Sequence, residues 1–243
     1  MPVTLTTLWA HYNGMGSLIA LLGIIAITVA GKRLVFSVPA LAEAKRVNRE
    51  QDRIKLARAK YPPIVRSSQR VGLVCNILFF VAVLPWCVTL ARPAWWQVIV
   101  DSVAVLLFYD FFYYLMHRFW FHGQGGMRRL HAIHHQARQP SYIDAHYVHP
   151  IETMLGLALF FSSIAIMAAL IGPFHPLTIV VLYVFYVQIN QINHTSLSLP
   201  RLPYQLLNTI SATHHKHHEN MHRGNYASIV MFYDRLFGTR EQD

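Results

Sequence analysis

Five apolar stretches, nearly free of charge, limit what this 243-residue chain can fold into. They cover residues 15–30 (or from Leu8 onward), 71–90, 98–116, 153–171 and 177–193. Crossing a bilayer takes a helix of about 20 predominantly apolar residues, since hydrocarbon offers the backbone no hydrogen bonds. Only 13% of the residues are charged, against roughly 25% in soluble domains. The expected fold class is therefore all-α: a polytopic membrane protein with four to five transmembrane helices. No basic residue precedes the first stretch, and Lys32 and Arg33 follow it, which favours a span over a signal-peptide core. Cys75 and Cys87 share the second stretch, about 18 Å apart along a helix, and read as small apolar fillers.

The net charge of +10 is unevenly placed. Residues 31–70 hold 11 of the 21 Lys and Arg against three acids, while residues 1–30 hold no charged side chain. That asymmetry is an orientation signal, because cytoplasmic loops beside spans collect basic residues; nucleic-acid binding is not expected. Residues 38–62 read as a basic amphipathic helix on the membrane surface, ended by Pro62 and Pro63. With that loop cytoplasmic, alternating spans bring residues 117–152 and everything after His194 to the same face, as a histidine-rich helical cap. Trp95 and Trp96 suit an interfacial aromatic belt at the opposite face. His11 and His175 also fall there, apart from the other histidines.

Two five-residue stretches, HAIHH (131–135) and HHKHH (214–218), hold seven of the 15 histidines. Neutral imidazole is the commonest protein ligand for transition metals, and residues three and four apart share a helix face. His131, His134 and His135, and likewise His214, His217 and His218, therefore converge on one point or two adjacent ones. Adjacent histidines diverge by about 100° on a helix, which suits two neighbouring metals better than one. His117 and His122 lie about 140° apart on a straight helix, and Gly123, Gly125 and Gly126 signal that the helix ends there. His194 closes the fifth stretch, one turn after Asn190. Nine candidate ligands result, and Asp110, a charge within a span, is functional by default. Asp144, Glu152, Glu219 and Asp234 are the other acids available to orient imidazoles. The aromatic run from Phe108 to Tyr114 either packs the core or lines a tunnel for an alkyl chain.

The pattern H-x4-H, H-x2-H-H, H-x2-H-H among hydrophobic spans resembles the fatty acid hydroxylase/sterol desaturase superfamily of membrane di-iron oxygenases. NYASIVMFYDRLFGT (residues 225–239) is similar to that family's ending, and HPIE (149–152) and Asp110 ahead of YYLMHR also match. The resemblance covers about residues 100–240. It implies residues 1–99 as N-terminal transmembrane helices with a basic loop and 100–243 as a di-iron catalytic region, in one integrated membrane domain. It further implies two iron ions on His117, His122, His131, His134, His135, His194, His214, His217 and His218, with Asp110 and Asn190 beside them. O2 would be the co-substrate, a fatty acyl or sterol-like lipid would be hydroxylated or desaturated, and a separate ferredoxin- or cytochrome-type donor would supply electrons. The setting would be a bacterial inner membrane or the endoplasmic reticulum, with the site at the cytoplasmic face. Two departures stand out: Ala227 replaces the usual glycine, and Asn190 stands where some members carry a tenth histidine.

Two other readings use the same histidines: a membrane metal transporter or sensor, and a zinc hydrolase. Transporters place ligands near mid-membrane, whereas here the histidines sit at span ends.

Overall fold

The computed structural model describes residues 11–241; Leu8 lies outside them. Its elements are α1 (Gly14–Val35), α2 (Pro39–Leu56), α3 (Tyr61–Leu78), α4 (Trp95–Leu115), α5 (Gly126–His134), α6 (Pro150–Ile171), α7 (Pro176–Asn193), α8 (Arg201–His218) and α9 (Phe232–Leu236). α3 continues through a π-turn (Phe79–Val83) and a 3-10 turn to Trp86, and α4 through a second π-turn (Met116–Phe121). Five of these helices are long and apolar enough to cross a membrane. The fold is all-α and polytopic, and no strand occurs among the described residues.

The sequence boundaries need two corrections. The amphipathic helix stops at Leu56, and Pro62 and Pro63 open the next helix instead of ending the previous one. Proline is tolerated in a helix's first turn, where its missing N–H has no partner to lose. α3 consequently begins at Tyr61, ten residues before the apolar stretch, and carries Arg66 and Arg70. It also stops at Trp86, before Leu90. The following segment is extended, and Val88 and Phe174 bridge the two hairpin connections at that end of the bundle.

Packing of the bundle relies on close contact, since lipid is as apolar as the side chains being buried. At Gly23, on α1, a Cβ would stand 2.8 Å from a Val180 methyl, so α1 and α7 approach at glycine distance. The core is aromatic. Phe79 stacks on Phe161 and Phe160 on Tyr186, both with ring centroids 4.0 Å apart, and Tyr109 meets Phe160 edge-on. His175 caps α7 by accepting the Leu177 N–H, among the turns at one end of the bundle. The clustered histidines gather at the other end, where α4 and α7 terminate and α6 begins.

Phe160 is fully buried. Phe160→Ala is expected to cost about 3–5 kcal/mol, read as a lowered unfolding temperature of the purified protein in detergent; an unchanged transition would contradict this packing.

Candidate metal centre

The two histidine stretches are shared between two ligand groups, and the sharing is crossed. His117, His122, His131, His135 and His217 form one group; His134, His194, His214 and His218 form the other. Within each group one nitrogen per residue lies within 4.8 Å of all the others. Thus the i,i+4 pair His131/His135 enters the first group and its neighbour His134 the second. On α8 the pair His214/His218 enters the second group and His217 the first. The 100° step between adjacent helical residues is what divides each stretch.

The pair His117/His122 departs from straight-helix geometry. The π-turn widens the chain so that the His122 N–H donates to the His117 carbonyl, five residues back, at 3.0 Å. Residues five apart then sit nearly above one another, and the two imidazole centroids are 4.9 Å apart. Single π-turns within α-helices are frequent at functional sites. Gly123 follows the turn closely: a Cβ there would fall 2.0 Å from the Phe119 carbonyl oxygen, so no other residue fits.

Backbone acceptors fix the orientation of most rings. The Nδ1 atoms of His117, His122 and His217 face the carbonyls of Tyr226, Met221 and Gly224 at 2.7, 3.0 and 2.7 Å. Those of His134 and His194 face the carbonyls of Tyr147 and Asn190 at 3.2 and 2.8 Å. His131 Nδ1 faces the Glu152 carboxylate at 2.7 Å. A carbonyl or an ionised carboxylate only accepts, so each of these Nδ1 atoms carries the proton and each Nε2 is a bare lone pair. Yet the Nε2 atoms approach one another: His117 to His131, His122 to His131 and His134 to His194, all at 3.1 Å. Neither member of such a pair can donate to the other, and the arrangement is repulsive unless a cation lies between them.

The spacing itself fits a cation. With metal–nitrogen bonds of about 2.1 Å, ligands at right angles stand about 3.0 Å apart and tetrahedral ones about 3.4 Å. The observed Nε2 separations are 3.0–3.2 Å. They suit a five- or six-coordinate ion better than a tetrahedral one. Glu152 touches the outer nitrogen of His131 and so supports a ring without pointing at the ion position. Such outer carboxylates and carbonyls hold ring orientation and raise ligand basicity.

Asp110 does not approach a histidine. Its carboxylate accepts the N–H groups of Ser228, Ile229 and Val230 at 2.9, 2.9 and 3.1 Å. Asp234 accepts those of Tyr226 and Ala227, both at 2.8 Å. Together they hold the loop whose Gly224 and Tyr226 carbonyls orient His217 and His117. Ala227, in place of glycine, is buried with no positive φ, so its methyl costs no strain. Among the other acids, Asp144 is held by Lys55, Tyr61 and the Ser141 N–H, and Glu219 pairs with Arg223. His215 and His222 stay outside both groups, as do His146 and His149. His149 accepts the Ile151 N–H at the start of α6.

Both groups open onto a cavity of about 450 Å³ that reaches from His117, His194 and His217 to Asn76 and Tyr183. Tyr109 and Tyr113 of the aromatic run line it, as does Asn190, while Phe108, Phe111 and Phe112 do not. Sequence reasoning missed Asn76 and Tyr183; each is a polar side chain within an apolar stretch, a signal of the kind that singled out Asp110.

Burial pushes His122 and His131 down from the ordinary 6.5 to about 3. His194, His214, His217 and His218 are lowered as well, by burial first and neighbouring imidazoles second, and His134 is lowered by burial, partly offset by the Glu152 carboxylate. The rings are therefore neutral at pH 7 and free to bind metal. Below 6.5 the unfolded chain takes up protons that the folded one refuses, so stability falls with falling pH. The metal-free protein is expected to hold its unfolding temperature above about pH 6.5 and to lose stability steadily toward about pH 3. A flat profile between pH 7 and 4 would contradict the burial of these rings.

The comparisons with known proteins point the same way. A family model described as fatty acid hydroxylase matches residues 102–239. Methylsterol monooxygenase 1 of Rattus norvegicus is 28% identical over 154 residues, 62% of this chain and 50% of that protein. The Gallus gallus protein of the same name is 28% identical over 152 residues, 62% of this chain and 49% of its own. A very-long-chain aldehyde decarbonylase of Oryza sativa subsp. indica is 33% identical over 152 residues, 59% of this chain and 54% of that protein. The chain spans about half the length of the curated relatives it matches. No solved structure matches it. Given the match over more than half its length, which takes in all nine clustered histidines, the chain belongs to the fatty acid hydroxylase family.

Proposed function

We propose that this chain is a membrane-embedded, O2-dependent oxidoreductase that hydroxylates or desaturates an unactivated C–H bond of a lipid. The observation that carries the reading is the meeting of two features. Two groups of largely buried imidazoles bring their Nε2 atoms together at cation spacing, and they border a cavity reaching into the apolar bundle. In this reading His117, His122, His131, His135 and His217 hold one iron, and His134, His194, His214 and His218 hold the other. Iron bound there would supply activation of O2 and removal of hydrogen from an unreactive carbon.

The chain's own residues would bind and orient. Tyr109, Tyr113 and Leu157 line the cavity and would hold hydrocarbon against the histidine end while excluding water. Glu152 and the carbonyls of Gly224 and Tyr226 would keep the imidazoles deprotonated at Nε2. Asp110 would act one step further out, through the loop it anchors. The four-histidine group would be the less saturated, with Asn190 one turn before His194 along its border. The methylsterol and aldehyde specificities in the relatives' names support a lipid substrate, sterol-like or fatty acyl, and residues 100–243 as the catalytic region.

The basic residues on α2 and its flanks support a cytoplasmic position for the histidine end, in a bacterial inner membrane or the endoplasmic reticulum. They would also give a separate ferredoxin- or cytochrome-type donor a charged face to dock on. Expression in a lipid-producing host should yield lipids that have gained one oxygen or lost two hydrogens. His134→Ala and His217→Ala, one from each group, should each lower product more than about 100-fold and reduce bound metal. His175→Ala, at the opposite end of the bundle, should retain product. Full product and metal in both cluster variants would overturn the assignment.

A further inference from the structure

The cavity beside the histidines has a side door and a floor. α3 packs on α6, while α7 packs on α4 and α1. Between α3 and α7 the cavity reaches the outside of the bundle. Leu73 and Val187 both line it and are 62% and 38% exposed. Above this slot the 3-10 helix Tyr142–His146 and its sequel form a roof from α3 to α7. Tyr147 stacks on Tyr61 with centroids 3.9 Å apart, and Gln191 donates to the Tyr142 carbonyl at 3.1 Å.

Deeper in the bundle, one bond crosses the slot: the Tyr183 hydroxyl donates to Asn76 Oδ1 at 2.5 Å. Asn76 Nδ2 donates back to Gly72 in its own helix at 2.7 Å. The polar capacity of the pair is largely spent internally, which makes it a bar more than a docking point for a headgroup. Beneath the bar the packing is closed. Tyr183 rests against Phe80 and Phe160, with centroids 5.9 and 6.3 Å away, and Phe79 and Phe160 are buried.

We propose that lipid enters sideways between α3 and α7 and that the Asn76–Tyr183 bar sets how much hydrocarbon fits below the histidines. This rests on the lipid-oxidising reading and adds to it a limit on substrate length. Tyr183 precedes His194 by eleven residues of α7, about 16 Å of helix. An extended chain advances about 1.2 Å per bond, as three backbone bonds span about 3.6 Å, so roughly a dozen methylenes fit. The substrate is then a single-tailed or narrow lipid whose tail beyond the oxidised carbon does not exceed that length.

The test is competition among straight-chain primary alcohols of increasing length for the metal-free protein in detergent, read by native mass spectrometry. A tail leaving a micelle exchanges one hydrocarbon for another, so length alone should bring no affinity, and the readout is a cutoff. Occupancy should be level up to a limiting length and drop at least tenfold beyond it. Tyr183→Ala should move the cutoff to longer chains, and Tyr183→Phe, which keeps the ring, should leave it near the wild-type length. Gly156→Leu should lower occupancy at every length. Gly156 lines the cavity and a Cβ there meets nothing within 4 Å, so this variant should fold. No bound alcohol, no cutoff, a cutoff unmoved in Tyr183→Ala, or undiminished occupancy in Gly156→Leu would each overturn the proposal. Since the assay uses neither metal nor O2, a chain-length cutoff without oxidised lipid would separate failure of the catalytic reading from failure of this one.

Discussion

Facing Nε2 lone pairs 3.1 Å apart, between His117 and His131, His122 and His131, and His134 and His194, set what the surrounding fold has to supply. In water such nitrogens would turn away from each other or take up protons. Here burial disfavours the protonated form, and backbone carbonyls commit the opposite ring nitrogen as donor. The fold supplies that rigidity in two layers. Gly224 and Tyr226 present their carbonyls to His217 and His117, and Asp110 and Asp234 hold the loop that carries them. An ionisable side chain within an apolar span is expensive, and three backbone N–H groups from a loop more than a hundred residues away satisfy this one.

The crossed sharing of the two histidine stretches gives the centre its coherence. Each stretch contributes an adjacent pair that straddles both groups, so neither group forms from one stretch alone. α5 and α8 must therefore dock together, and the ring contacts between them, such as His135 stacked on His218 at 4.8 Å, belong to both groups at once. The groups are unequal, five histidines against four, and the shortfall lies in the group containing His194, one turn beyond Asn190.

Much of this was legible in the sequence. Hydrophobic length gave four to five spans, and the structure has five helices of that length, because the bilayer fixes how long an apolar helix must be. The i, i+3, i+4 spacing gave the convergence of each histidine stretch because helical periodicity is local. What escaped depends on other information. The start of α3 was misplaced because Pro62 and Pro63 are as compatible with a first turn as with a stop. The meeting of His117 and His122 depends on a π-turn, which no residue in MHRFWF announces. Five acids were plausible partners for the imidazoles, and only tertiary packing singles out Glu152. The Asn76–Tyr183 bar joins residues 107 positions apart, and spacing along the chain carries no trace of such a pairing.

The proposal that nine histidines hold two iron ions is tested by counting the metal. The protein would be expressed with iron supplementation, purified without oxygen, and its iron determined by elemental analysis against protein concentration from amino-acid analysis. Close to two iron ions per chain are expected. A saturating value of one, or a chain that carries zinc and no iron under these conditions, would contradict it.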